Sequence, residues 1–164
     1  GINQVKSSPI RVEADEATYN LHIMLRLEIE IGLIEHSMDT TDLPEIWNSK
    51  MKEYLGITPS NDSQGVLQDV HWSSGLVGYF STYALGNLVS VQLWDKMLEE
   101  NPNVPDEMMK GEFSTIHNWM REKVHQYGSK YDPQELVQKI TGSKITPEPY
   151  LNYLSKKYSD IYNL

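Results

Sequence analysis

Apolar residues recur along most of this chain at helical spacing, and prolines and glycines punctuate the pattern. The first long run, from about Arg11 to Glu35, is ambiguous. Leu21, Ile23, Leu25, Leu27, Ile29, Ile31 and Leu33 alternate with more polar neighbours in strand fashion. Strands average only ~5–6 residues, so a run of this length reads as a long helix buried on most sides. A second helix is predicted to start near Thr41 and Asp42, with Pro44 in its first turn and Gly56 just past its end. Val66, Gln68, Val70 and Trp72 then alternate with Leu67, Asp69 and His71, which predicts a short strand or hairpin around residues 66–72. Helical period returns from about Tyr79 to Glu100, and Asn101 and Pro102 stop it. Pro102 to Pro105 read as a connector, followed by a helix from about Phe113 to Gln126. Asp132-Pro133-Gln134-Glu135 is a capping box that opens another helix, ended by Gly142. Thr146 and Pro147 start the last helix, with Tyr150, Tyr153, Leu154, Tyr158, Ile161 and Tyr162 along it. The expected fold is all-α, with long helices and one short strand, as a single helical unit over residues 1–164.

Composition narrows the partners. At 164 residues the chain can bury one sizeable core. Its net charge of −9 leaves no basic stripe to neutralise phosphates, so nucleic acid is not expected as a partner. No stretch approaches the ~20 apolar residues that span a bilayer, and no membrane association is expected. The absence of cysteine removes disulfides and thiolate chemistry and is compatible with a reducing cytoplasm, the expected location.

The densest chemistry lies in Gly65-Val66-Leu67-Gln68-Asp69-Val70-His71-Trp72 and in Gly78-Tyr79-Phe80-Ser81-Thr82-Tyr83. Imidazole and phenol groups suit a site that stabilises negative charge developing on oxygen. On a strand, Asp69 would share a face with His71 and could orient it. Tyr79 and Tyr83 are one helical turn apart, although such pairs more often only pack. On the first helix, Arg11, Asp15, Thr18, Tyr19 and His22 fall three or four apart, and Arg26 extends the row. Spacing alone favours a solvated stripe. On so apolar a helix, however, a polar stripe must be internally paired or must line a cavity. Arg11 would then be a fixed cation able to grip a carboxylate through two N–H groups. His36, His117 and His125 have no ligand-like surroundings, and no His-Glu-x-x-His occurs. No metal ligand is assigned to this chain.

Ile10-Arg11-Val12-Glu13-Ala14-Asp15, taken with the Gly65 to Trp72 segment, resembles the thermostable (Taq-type) zinc carboxypeptidase family. That family carries Ile-Arg-x-x-Ala-Asp and Gly-x-x-Gln-Asp-x-His-Trp in this order. Both are complete here, and the likeness extends from about Asn3 to Leu164 through Thr18-Tyr19-Asn20-Leu21-His22, Asp42-Leu43-Pro44, Trp47-Asn48, Gly78-Tyr79-Phe80 and Thr141-Gly142. Ser81 departs from it, standing where the family usually has Pro.

The resemblance implies the C-terminal portion of a larger helical metallopeptidase, about three times this length. The family's His-Glu-x-x-His zinc ligands and later Glu lie upstream of the first motif. The cofactor implied is therefore zinc, or another divalent metal, in the full-length enzyme, with none bound by this chain alone. The implied substrates are peptides with a free C-terminal carboxylate, and a homodimer is compatible with it. The catalytic roles implied are oxyanion stabilisation by His71 with Tyr79 or Tyr83, and substrate binding by Arg11 supported by Gln68 and Asp69. The alternative from another class is a stand-alone helical binding or scaffold module without catalysis.

Overall fold

The computed structural model describes residues 3–164. Among them every regular element is helical: α1 (Glu16–Ile34), α2 (Leu43–Leu55), α3 (Ser81–Glu100), α4 (Val104–Met109), α5 (Ser114–Lys123), α6 (Pro133–Thr141) and α7 (Glu148–Tyr162), with short 3-10 turns between some of them. The described chain groups into two compact units, Gly1–Leu85 and Gly86–Leu164.

In the first unit, α1 starts later than its apolar pattern suggests. Arg11–Glu13 form a separate 3-10 turn, and Asp15 caps α1 by accepting the Thr18 backbone N–H at 2.9 Å. Arg11 is therefore not on the α1 face that spacing predicts. Helix α2 begins with Pro44 in its first turn and ends at Gly56, whose φ of 72° is the left-handed cap expected of glycine. Leu25 and Ile29 of α1 pack on Trp47, Met51 and Leu55 of α2, and Val66 closes this core from the loop beyond.

The strand predicted at 66–72 does not form. Residues 61–68 coil into successive turns: Gly65 N–H donates to Asp62 O at 3.1 Å, Leu67 N–H to Asp62 O at 2.9 Å, and Gln68 N–H to Gly65 O at 3.1 Å. A 3-10 turn follows at Trp72–Ser74. Alternation misleads here because the inward positions, Val66 and His71, are spaced by turns, while Leu67 and Val70 stay exposed. Gln68 replaces a ladder, its side-chain amide donating to the carbonyls of Pro9, Gln64 and Gly65.

In the second unit, Met97, Val104 and Trp119 form a core with Leu93, Trp94, Leu98, Ile116, Met120, Val124 and Ile140 packed around it. The predicted Pro102–Pro105 connector is a turn only at Pro102 and Asn103; α4 starts at Val104, with Pro105 tolerated in its first turn. The Asp132 capping box and the left-handed Gly142 bound α6 as predicted. Buried Gln92 donates to Lys144 O at 3.0 Å and accepts the Thr146 N–H at 3.0 Å, tying the α6–α7 connection to α3.

Candidate functional site

Helix α1 carries two charged residues, Arg26 and Glu30, that are almost wholly buried. Around them fold the Arg11 turn, the Gly65–Trp72 segment and the Gly78–Tyr83 segment. A Cβ at Gly65 would sit 3.3 Å from Asn61 O, so the turn's own backbone would have to give slightly, while the Trp47 indole at 3.5 Å would be in ordinary contact. Gly78 has φ of +80°, a left-handed conformation that disfavours other residues and turns the chain into α3.

Asp69 lies between two guanidinium groups. Arg11 donates to it from Nη2 at 2.7 Å and from Nε at 3.1 Å, while Arg26 Nε donates at 2.8 Å. Arg26 is fully enclosed. Its remaining N–H groups reach His22 O at 2.8 Å and Gln68 Oε1 at 2.9 Å, and its guanidinium lies 4.6 Å from the Trp47 ring centroid. Gln68 Oε1 also accepts the Arg11 backbone N–H at 2.8 Å. A buried ion pair repays desolvation only when its hydrogen bonds are complete, and here they nearly are.

Burial works to lift the Asp69 carboxyl, but the two arginines outweigh it and hold it below its usual range. Burial pushes Arg26 down to about 10, against the pull of Asp69. For Arg11 burial also acts downward, but Asp69 and Tyr19 overcome it and the net direction is up. Both guanidiniums stay charged at neutral pH. His22 is driven down to about 4, by burial first and then by repulsion from Arg26 and Arg11. The cluster therefore keeps one net positive charge, with Tyr19 OH accepting from Arg11 Nη1 at 2.9 Å.

His71 sits on the other side of Asp69. Its Nε2 is 3.1 Å from Tyr83 OH, and its ring lies 4.3 Å from that of Phe80 and 5.7 Å from that of Tyr79. Its Nδ1 is buried without a hydrogen-bond partner, 3.8 Å from Asp69 Oδ1, because both Asp69 oxygens are already taken by arginine. Tyr83 in turn packs 5.1 Å from the Arg11 guanidinium, whereas Tyr79 is exposed beside it.

The structure brings Arg11, Gln68, Asp69, His71, Tyr79 and Tyr83 into one neighbourhood. Arg26, which extends the polar row read from spacing, belongs to it as well, and so does Glu30, which that row does not include. The signal was present: two charges four residues apart inside the most apolar run of the chain. Among the described residues no three His, Cys, Asp or Glu side chains converge to hold a metal ion.

The family model for the carboxypeptidase Taq (M32) metallopeptidase matches residues 1–158. Carboxypeptidase 1 of Bacillus subtilis is 47% identical over 163 residues, covering 99% of this chain and 32% of that protein. Thermostable carboxypeptidase 1 of Thermus thermophilus is 45% identical over 161 residues, covering 98% and 32% respectively. The crystal structure of an M32 carboxypeptidase from Deinococcus radiodurans superposes with a TM-score of 0.96 at 37% identity, over 99% of this chain and 33% of that one. The chain thus spans about a third of the length of the relatives it matches.

Proposed function

Because the chain belongs to the carboxypeptidase Taq (M32) metallopeptidase family, we propose that it forms the substrate-gripping and oxyanion-stabilising side of a zinc-dependent carboxypeptidase. The substrates are peptides with a free C-terminal carboxylate. The observation that carries this reading is the run of donors from Arg11 past Tyr83 to His71, with Tyr83 in contact with both.

Arginine has five N–H groups, and the hydrogen bonds to Asp69 and Tyr19 draw on Nε and one N–H of each terminal nitrogen. The second N–H on Nη1 and on Nη2 suit a carboxylate approached side by side. Asp69, Gln68 and Tyr19 fix the plane of the fork. At the scissile bond, the tautomer of His71 with its proton on Nε2 would donate to the Tyr83 oxygen 3.1 Å away and free the phenol proton to meet the oxyanion. Tyr79 stands next to it as a second phenol. Losing one such donor typically costs ~3–4 kcal/mol of barrier.

The family implies a divalent metal, zinc in our reading. The donor set here does not fit one: Asp69 is held by two arginines and Glu30 Oε1 by Trp72 and Gly78, and among the described residues no third His, Cys, Asp or Glu converges with His22 or His71. We place the metal ligands in the part of the complete protein outside this chain and derive no step through them.

In a complete carboxypeptidase carrying this chain, Arg11→Ala is expected to raise KM for C-terminally free peptides about 10- to 100-fold, the worth of a charged hydrogen-bond pair. Asp69→Asn and Tyr19→Phe serve as controls for the partners Arg11→Ala also releases. His71→Ala is expected to lower kcat by about 10²–10³. Unchanged KM in the first variant, with unchanged kcat in the second, would remove the assignment.

A further inference from the structure

Glu30 is 3% exposed, and nothing in the mechanism above uses it. One of its carboxylate oxygens, Oε1, accepts two hydrogen bonds: the Trp72 indole N–H at 2.8 Å and the Gly78 backbone N–H at 3.1 Å. These donors flank the site. Trp72 follows His71 directly, and Gly78 precedes Tyr79. We propose that Glu30 is a positioning residue that sets His71 against Tyr79 and Tyr83 by bolting both segments to α1.

A simple packing role would not need a carboxylate. Burying an ionisable group costs more than burying an apolar side chain of similar size, so the acceptor must be needed. After His71 the backbone ties itself as far as Leu76, whose N–H donates to His71 O at 2.9 Å. The Trp72–Ser74 turn ends in left-handed Gly75, and Leu76 and Val77 are exposed. Past Leu76 the loop is tied by the Gly78 N–H, which Glu30 holds through the same oxygen as the Trp72 indole. Its neighbour one helical turn earlier, Arg26, holds Gln68 and Asp69. Together the two buried charges of α1 grip the His71 segment ahead of the imidazole and behind it.

The inference rests on the catalytic reading of His71 and the tyrosines, and the test separates the two. In a complete carboxypeptidase carrying this chain, Glu30→Leu removes the acceptor and Glu30→Gln keeps an oxygen in its place. Glu30→Leu is expected to lower kcat about 10- to 100-fold, the usual effect of losing an outer-shell partner. KM should change less than about twofold, because the Arg11 grip is left intact. Glu30→Gln should recover most of kcat. With 5-fluorotryptophan labelling, the Trp72 fluorine resonance, assigned by its loss in Trp72→Phe, should move in Glu30→Leu and move much less in Glu30→Gln.

Wild-type kcat in Glu30→Leu overturns the proposal, as does a change confined to KM. So does a Glu30→Gln variant as impaired as Glu30→Leu. If Glu30→Leu does not fold, Trp72→Phe decides: it removes one of the two ties and should lower kcat by a smaller factor at unchanged KM, and unaltered kcat overturns the inference. Full activity in His71→Ala, with the fluorine resonance still answering to Glu30, would sink the catalytic reading and leave the tie itself in place.

Discussion

The two compact units bury different kinds of side chain. Of the seven buried polar or charged side chains among the described residues, Arg11, Thr18, His22, Arg26, Glu30 and His71 lie in the first unit, and Gln92 lies in the second. The second unit closes around Met97, Val104 and Trp119, with its one buried amide satisfied by the α6–α7 connection. The first has an apolar core of its own between α1 and α2, so it does not need the charges in order to fold. Replacing buried ion pairs by apolar residues is often neutral or stabilising. Their concentration in one unit, around His71, is what a site demands: donors and acceptors fixed in direction before a ligand arrives. The second unit reads as a scaffold built by burial.

The sharpest way to break this contrast is to remove the charge that the two arginines share. Asp69→Ala leaves Arg11 and Arg26 facing one another with no anion between them. Orphaning buried charges in this way typically costs ~3–5 kcal/mol, which urea unfolding of the chain would measure. A loss under about 1 kcal/mol, the range of a surface pair, would mean that the cluster is hydrated and the contrast overstated.

Acid provides the next test. His22 titrates at 6.5 when unfolded and at about 4 when folded. Between those values the unfolded chain binds a proton that the folded chain refuses, so stability falls as pH drops from 6.5 toward 4. The full difference amounts to about 3 kcal/mol. The groups that set it are Arg26 and Arg11, which repel the imidazolium, and Asp69, which attracts it less than burial opposes it. The stabilisation from Asp69 is fully present above its ordinary carboxylate range and is lost only as pH falls through that range toward its depressed folded value. His22→Asn should flatten the slope above pH 4, and parallel slopes in the two proteins would refute the assignment. In the second unit a cavity, not a charge, should do the comparable damage. Val104→Ala, at a site with 0% exposure, is expected to cost about 2 kcal/mol and to do so equally at pH 7 and pH 5.

Much of this was legible in the chain. Helices α2 and α6 follow from Pro44 and Gly56, and from the Asp132 box and Gly142, because caps act locally. Residues 66–72 were misread because Gln68 satisfies backbone carbonyls that a strand would have paired with a neighbour. Period-two alternation cannot reveal an acceptor such as Pro9 O, 59 residues away. Helix α4 was missed because Pro105 looks like a breaker and is in fact a first-turn residue. The site residues in the two motifs were named from their chemistry. Glu30 is not among them and Arg26 enters only as the end of a polar row, since their meaning depends on what folds over them: Asp69 is 43 residues from Arg26, and Gly78 is 48 from Glu30.

The smallest effect separates capping from chemistry inside the first motif. Asp15 ends Ile10-Arg11-Val12-Glu13-Ala14-Asp15, only four residues from Arg11. Its carboxylate accepts the Thr18 N–H from one oxygen and the Lys6 backbone N–H at 2.8 Å from the other. Both bonds serve the chain: one starts α1 and the other ties down the segment that leads into Arg11. Asp15→Ala should therefore cost about 1 kcal/mol of stability, the usual worth of an N-cap. Asp15→Asn keeps an oxygen for the cap and should recover most of that loss in the same unfolding measurement. In a complete carboxypeptidase carrying this chain, Asp15→Asn should also leave KM and kcat near their starting values, in contrast to Arg11→Ala. A collapse of kcat in Asp15→Asn with stability intact would move Asp15 from the frame of the first unit into its chemistry.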